Sequence, residues 1–220
     1  KDKISSSVVL KNVVPEVNSQ EGTIVIGVDT GLPIHYVVLN KEGVFHYGTC
    51  KDYDVIENML KRWSKSIVVS DQGGDLIGIR SLREKYAGRV FLCYYRKDRK
   101  SDQIITWGKG EKRGNVTVDR NSMIQLMVEQ LRDLGRIRLN GTKEEWEEFA
   151  SHFDNIYRVH KETKYGVEYI WERNGQDHFC HSFLYSLVGL DLRTTTMASV
   201  VGDTMFEGME TGRVFLDDNL

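Results

Sequence analysis

The sequence predicts an α/β fold: a mixed central sheet with helices on its faces, in the order β-β-β-α-β-α-β, with an additional basic β-hairpin or flap. Three observations predict it. Thr23 to Asp29 is an unbroken, β-branched run, as a strand buried on both faces requires. Ile34 to Leu39 and Gly43 to Thr49 read as two further strands around the turn residues Asn40-Lys41-Glu42-Gly43, so the first three strands form a meander. Helical and strand periodicities then alternate, which calls for crossover connections over a sheet face.

The elements follow in order. Lys1 to Gln20 is polar apart from Val8 to Val14, which Pro15 interrupts, and reads as a connecting arm with one edge strand. From residue 21 to 193 a single domain is expected. Gly31 and Pro33 end the first strand. Val55, Ile56, Met59, Leu60 and Trp63 recur at helical spacing between Asp52 and Lys65, with Asp52 or Asp54 as the cap. Ile67 to Ser70 is a short buried strand that ends at Asp71, and Gly73-Gly74 turns the chain into a helix from Asp75 to Tyr86. Val90 to Tyr95 is the fifth strand.

Arg96 to Arg120 is basic and punctuated by Gly108, Gly110 and Gly114, with strand-like pieces at Gln103 to Trp107 and Asn115 to Val118; it reads as a projecting flap. An amphipathic helix follows from Asn121 to Leu134. Thr142-Lys-Glu-Glu145 is a capping box that starts a helix reaching about Phe153. Asn155 to His160 and Tyr165 to Trp171 form a hairpin, and Gly175 to Leu190 a last helix. Residues 194–220 are weakly patterned and are expected to form a partly mobile tail.

Composition narrows the class. The 220 residues are 40% hydrophobic and 10% aromatic, enough for one substantial core. No apolar run approaches the roughly 20 residues of a membrane helix, and the first residues lack a signal-peptide core, so no membrane partner is expected. Cys50, Cys93 and Cys180 are widely spaced, with no CxxC pair to suggest structural zinc; free thiols fit a reducing cytoplasm. The formal charge of −2 does not mark a nucleic-acid binder, although a net value conceals local patches.

The candidate chemistry lies in three aspartates. Asp29 interrupts an otherwise apolar strand, and a buried carboxylate needs a partner or a metal; the alternative is that the strand ends at Val28 and Asp29 opens a turn. Asp71 closes the next buried strand, or simply enters the following helix. Asp177 stands where the last helix begins, as a ligand or as an N-cap. Convergent carboxylates suit two hard divalent cations, Mg²⁺ or Mn²⁺, of the kind that hydrolyse phosphodiesters. Asp75, His178 and His181 are candidates to stand around these ligands, Asp75 in the first place as a helix N-terminal residue satisfying backbone amides and His181 equally as a surface histidine. Arg96, Lys97, Arg99, Lys100, Lys109, Lys112 and Arg113 form the basic flap. They would neutralise DNA phosphates without reading sequence, with Trp107 either stacking on bases or anchoring the loop.

Ile26-Gly-Val-Asp29, the run Val118-Asp-Arg-Asn-Ser-Met leading through a helix to the short strand Gly135-Arg-Ile-Arg-Leu139, with Arg136 and Arg138 on one face, and Asp177-His-Phe-Cys-His-Ser-Phe-Leu-Tyr185 carry a resemblance. Together with the element order they resemble the ribonuclease H-like superfamily, and within it the nuclease domain of the large terminase subunit of tailed phages. The resemblance implies a two-metal endonuclease with Asp29, Asp71 and Asp177 as catalytic metal ligands. It further implies that the domain cuts double-stranded DNA during genome packaging in the host cytoplasm, with a terminase ATPase domain, a small terminase subunit and a portal as partners. Many relatives carry an acid where this chain has His181, which leaves Asp177 or His181 to face the metals; Asp177 is the expectation. No GxxxxGK[ST] loop occurs and the chain starts at Lys1, so a piece lacking the motor is expected. Three other functions remain: a junction resolvase or integrase of the same superfamily, an actin-like phosphotransferase suggested by Gly27-Val-Asp-Thr-Gly31, and a non-catalytic DNA-binding module.

Overall fold

The structure, a computed structural model, describes residues 2–15, 22–74, 76–96, 103–163 and 166–207, with side chains in those ranges except at 76, 163 and 193–207. Strands are β1 (Asp2–Lys3), β2 (Val13–Val14), β3 (Val25–Asp29), β4 (Ile34–Asn40), β5 (Gly43–Cys50), β6 (Ile67–Asp71), β7 (Val90–Tyr95), β8 (Ile105–Trp107), β9 (Asn115–Val118), β10 (Leu139–Asn140), β11 (Ile156–Thr163) and β12 (Gly166–Arg173). Helices are α1 (Ser6–Val9), α2 (Asp54–Arg62), α3 (Leu76–Lys85), α4 (Arg120–Arg132), α5 (Glu147–Ser151) and α6 (His178–Glu207).

Among the described residues, nine strands form one mixed sheet in the order β2-β10-β5-β4-β3-β6-β7-β9-β8, and β1-β11-β12 form a second. The meander β3-β4-β5 is antiparallel, whereas β3, β6, β7 and β9 run parallel. Strand β3 lies at the centre because its residues can be buried on both sides. Val25 belongs to the core shared with α4, α5 and α6, whereas Ile26 and Val28 belong to the core under α2 and α3. This is the alternation that a period of two imposes on a strand covered on both faces.

Glycine lets α6 reach the sheet. A Cβ on Gly27 would lie 1.9 Å from the Ser182 carbonyl oxygen, and one on Gly189 would lie 2.4 Å from Val25. The helix backbone therefore sits directly on β3, with the small residues Ser182, Ser186 and Gly189 on the contact face.

The structure departs from the sequence expectations in four places. The basic hairpin does not project: β9 pairs in parallel with β7 and β8 caps the sheet edge, because Val116 and Val118 are fully buried in the core. The arm carries two short strands where one was expected, β1 on β11 and β2 on β10, with Ile4 and Val9 fully buried. In Gly135 to Leu139 only Leu139 pairs, while Arg136 and Arg138 are exposed. Helix α6 continues past Leu190 to Glu207, and residues 208–220 lie outside the described residues. The capping box forms as expected: the Thr142 amide donates to Glu145 at 2.7 Å and the Glu145 amide to the Thr142 hydroxyl at 3.4 Å.

Candidate active site

Period-two alternation also builds the site. Val25, Gly27 and Asp29 on β3 point to the α6 side, as do Ile67, Val69 and Asp71 on β6 and Cys93 and Tyr95 on β7. Val28 is in register with Ser70 and Asp71 with Cys93, so neighbouring strands, about 4.8 Å apart, present Asp29, Asp71 and Tyr95 along one edge. The first two turns of α6 lie opposite, bringing His178, His181 and Tyr185.

The two acids are held by backbone amides. Asp71 Oδ1 accepts from the Thr30 amide at 2.8 Å and Oδ2 from the Gly73 amide at 2.9 Å; Asp29 Oδ1 accepts from Gly31 at 3.3 Å. The loops after β3 and β6 are clasped together where the Gly74 amide donates to the Thr30 hydroxyl at 2.8 Å. A Cβ on Gly74 would stand 2.0 Å from the Thr30 carbonyl oxygen, so glycine is needed there. Among the described residues neither acid meets a Lys or Arg at ion-pair distance; the partner of Asp29 Oδ2 is His178 Nδ1, at 3.5 Å. Burial, and then the charge of Asp71, raise the Asp29 carboxyl above its ordinary value, while His181 and His178 act in the other direction.

Asp177 is differently placed. It is fully buried, and both its oxygens are taken: Oδ1 by Arg173 Nη1 at 2.8 Å and Oδ2 by His181 Nε2 at 3.1 Å. Burial would raise its carboxyl, but His181 and Arg173 outweigh burial and hold it well below the carboxylate range. On the first turn of α6 it is His178 that comes to ion-pair distance of Asp29, while His181 faces Asp177 and Tyr95. Asp75 lies outside the described residues.

Residues that sequence reasoning passed over complete the surroundings. His35 stacks on His178 with ring centres 4.5 Å apart, and His152 lies 5.7 Å from His35. Burial, His35 and His178 lower His152 to about 4. The Tyr95 hydroxyl is 2.6 Å from His181 Nδ1. The β7 alternation through Cys93 could have flagged Tyr95; no local signal marks His35 or His152.

Among the described residues, no three His, Cys, Asp or Glu side chains converge as a ligand set. Asp29 and Asp71 still suit one kind of cation. A pair of hard carboxylates without a cationic side-chain partner fits Mg²⁺ or Mn²⁺, which keep several waters and substrate oxygens, better than a cage built wholly of protein.

On the basic hairpin, Lys109, Lys112 and Arg113 are exposed, and Arg96 Nη2 donates to the Thr106 hydroxyl at 2.9 Å. Trp107 packs edge-on against Phe91, centroids 5.2 Å apart, as the loop anchor rather than as an open stacking platform. Beside it a cleft of about 1350 Å³ is lined by Ile104, Trp107, Lys109, Lys112, Leu126 and Leu192. Lys97, Arg99 and Lys100 lie outside the described residues.

No protein-family profile matches the sequence, and no curated protein does. Among solved structures, the nuclease domain of the large terminase subunit of bacterial virus Sf6, with manganese, superposes with a TM-score of 0.57 over 84% of this chain and 97% of that domain, at 11% identity. The same domain with calcium gives the same values. The large terminase from a thermophilic bacteriophage aligns with a TM-score of 0.47 and 14% identity, over 80% of this chain and 41% of that one. At such identity the likeness to the Sf6 domain is one of architecture: this chain has the ribonuclease H-like fold of a phage terminase nuclease domain.

Proposed function

We propose that this chain is a divalent-cation-dependent nuclease that cuts double-stranded DNA with little sequence preference, in the setting of phage genome packaging. One observation carries the reading: Asp29 and Asp71 lie side by side at adjacent parallel strand ends, with no Lys or Arg to neutralise them among the described residues, and burial and mutual repulsion raise Asp29. Such a pair is stabilised by a bound cation. The fold likeness to a terminase nuclease domain solved with manganese supports that choice.

Asp29 and Asp71 would hold the metal, as Mg²⁺ or Mn²⁺ in a pair of ions. Bound there, the cations would supply charge to the scissile phosphate and make water a better nucleophile. The Thr30 and Gly73 amides fix Asp71, and His178 fixes Asp29. Asp177 joins the ligands only by giving up Arg173 and His181. Lys109, Lys112, Arg113 and Arg96, with Lys97, Arg99 and Lys100, bind backbone phosphates. The catalytic unit spans residues 21–193 together with the packed N-terminal segment. A terminase ATPase domain, a small terminase subunit and a portal are the proposed partners, in the host cytoplasm. No helix among the described residues is long and apolar enough to cross a membrane.

Asp29→Asn tests the reading. Plasmid cleavage in Mn²⁺ should fall by about 100-fold or more, while retention of duplex DNA on a gel stays close to wild type. A fully active Asp29→Asn protein would refute the metal assignment. Preference for branched junctions over linear duplex would move the reading to a resolvase.

A further inference from the structure

A chain of hydrogen-bonded side chains runs beside the acid pair, and its role rests on the nuclease reading above. It starts at Arg173, the last residue of β12, passes through Asp177 and His181, and ends at Tyr95, the last residue of β7. The links are 2.8, 3.1 and 2.6 Å. The Tyr95 ring also lies 6.1 Å from that of Tyr185, one helical turn beyond His181, and the Arg120 guanidinium lies 6.0 Å from the Tyr95 ring.

The donor order follows from charge. The Asp177 carboxylate accepts from Arg173 on one oxygen and faces His181 Nε2 with the other, so the His181 proton sits at Nε2 and points to it. In the neutral imidazole Nδ1 is then bare and accepts from the Tyr95 hydroxyl; this tautomer is inferred from the network. Both oxygens of Asp177 and both ring nitrogens of His181 then have partners, as a buried polar network requires.

The first turn of a helix lacks internal acceptors for its amides and frays unless it is tied down. In α6 that turn carries His178, which stands against Asp29. We propose that Tyr95 is a positioning residue for the acid pair: through His181 and Asp177 it fastens the first turn of α6 to the end of β7, keeps His178 against Asp29, and leaves His181 no free nitrogen to bind a cation or carry a proton. Arg173 closes the other end and ties the β1-β11-β12 sheet to the same turn. Asp177 is then the buried centre of a brace, and the acid pair is Asp29 with Asp71.

Tyr95→Phe removes one hydroxyl and keeps the ring. With plasmid and Mn²⁺, kcat should fall about tenfold while KM for DNA stays unchanged, because the hydroxyl is engaged by His181 and acts through it. In the metal-free protein, long-range ¹H–¹⁵N spectra should show wild-type His181 as a single Nε2–H tautomer and Tyr95→Phe as a mixture, with the His178 resonances displaced. Should Tyr95→Phe fold poorly, His181 substitutions give the same answer. His181→Gln keeps an amide donor for Asp177 and should retain most of the rate that His181→Ala loses. Equal losses in those two variants, an unchanged kcat and spectrum in Tyr95→Phe, or two tautomers in the wild type would each overturn the brace. A wild-type protein that cleaves nothing would defeat the nuclease reading alone, since the spectra decide the brace without activity.

Discussion

At the scale of single residues, charge placement makes stability depend on pH in two opposite ways. The Asp29 carboxyl is raised by burial and by Asp71 above its ordinary 3.8, so the folded state binds more protons than the unfolded one in the window above that value. Ionising Asp29 therefore costs stability as pH rises through the window. Without metal, Asp29→Asn should melt higher than wild type at pH 7, by roughly 2–4 °C for each 1 kcal/mol gained, and the difference should vanish below about pH 3.8. Mn²⁺ should raise the wild-type Tm and leave Asp29→Asn unmoved. His152 works from the other side. Lowered from 6.5 to about 4, chiefly by burial, it stays neutral in the fold while the unfolded chain takes up a proton, so stability is lost as pH falls from 6.5 towards 4. The urea midpoint should drop over that range, and His152→Gln should flatten part of the slope. The pairing of Asp29 with Asp71 was legible in the sequence, because each is a carboxylate closing an apolar run. The direction of Asp177 was not. A helix-opening aspartate reads alike whether it faces a cation or an arginine, and although Arg173 stands only four residues earlier, nothing local says that β12 ends with its side chain turned back onto Asp177.

At the scale of elements, close packing of α6 on β3 places the site, and one missing Cβ permits it. Gly27→Ala sets a methyl group 1.9 Å from a helix carbonyl and 2.4 Å from the Ser186 amide nitrogen, both backbone atoms that cannot rotate aside. The helix must lift or the strand bend, at about 1–3 kcal/mol or more. Urea unfolding of Gly27→Ala should show that loss, and cleavage should fall with it because His178 rides on the displaced helix; a variant of wild-type stability would mean that α6 has room to shift. Element order and most boundaries were readable because periods of 2 and 3.6 are local properties. Predicted Val90 to Tyr95 and Asn115 to Val118 match β7 and β9 residue for residue. What those strands pair with is not local. Val116 and Val118 announce a strand with one buried face, yet nothing near them says that the face is supplied by the α6 side of the main sheet. The burial of Ile4 and Val9 was similarly hidden: the elements that cover this segment, α4, α5 and β11, come more than a hundred residues later.

At the scale of the whole molecule, the proposed function requires a chain of net charge −2 to hold a polyanion by distribution rather than by sum. On that reading the hairpin would supply the distribution from a fixed position, since β8 and β9 continue the same sheet whose centre carries Asp29 and Asp71. Lys109, Lys112 and Arg113 are exposed at its turn, so their contribution is electrostatic and screened by salt. Replacing all three with alanine should weaken retention of duplex DNA at low salt. It should also flatten the plot of log affinity against log salt, by about 0.9 for each phosphate left without its cationic partner. Affinity should fall equally on unrelated sequences, because phosphates carry no sequence information. The acid pair sits on other strands, so the metal-free Tm and its response to Mn²⁺ should match wild type. An unchanged salt slope would remove the hairpin from the DNA path and leave that role to other basic surface.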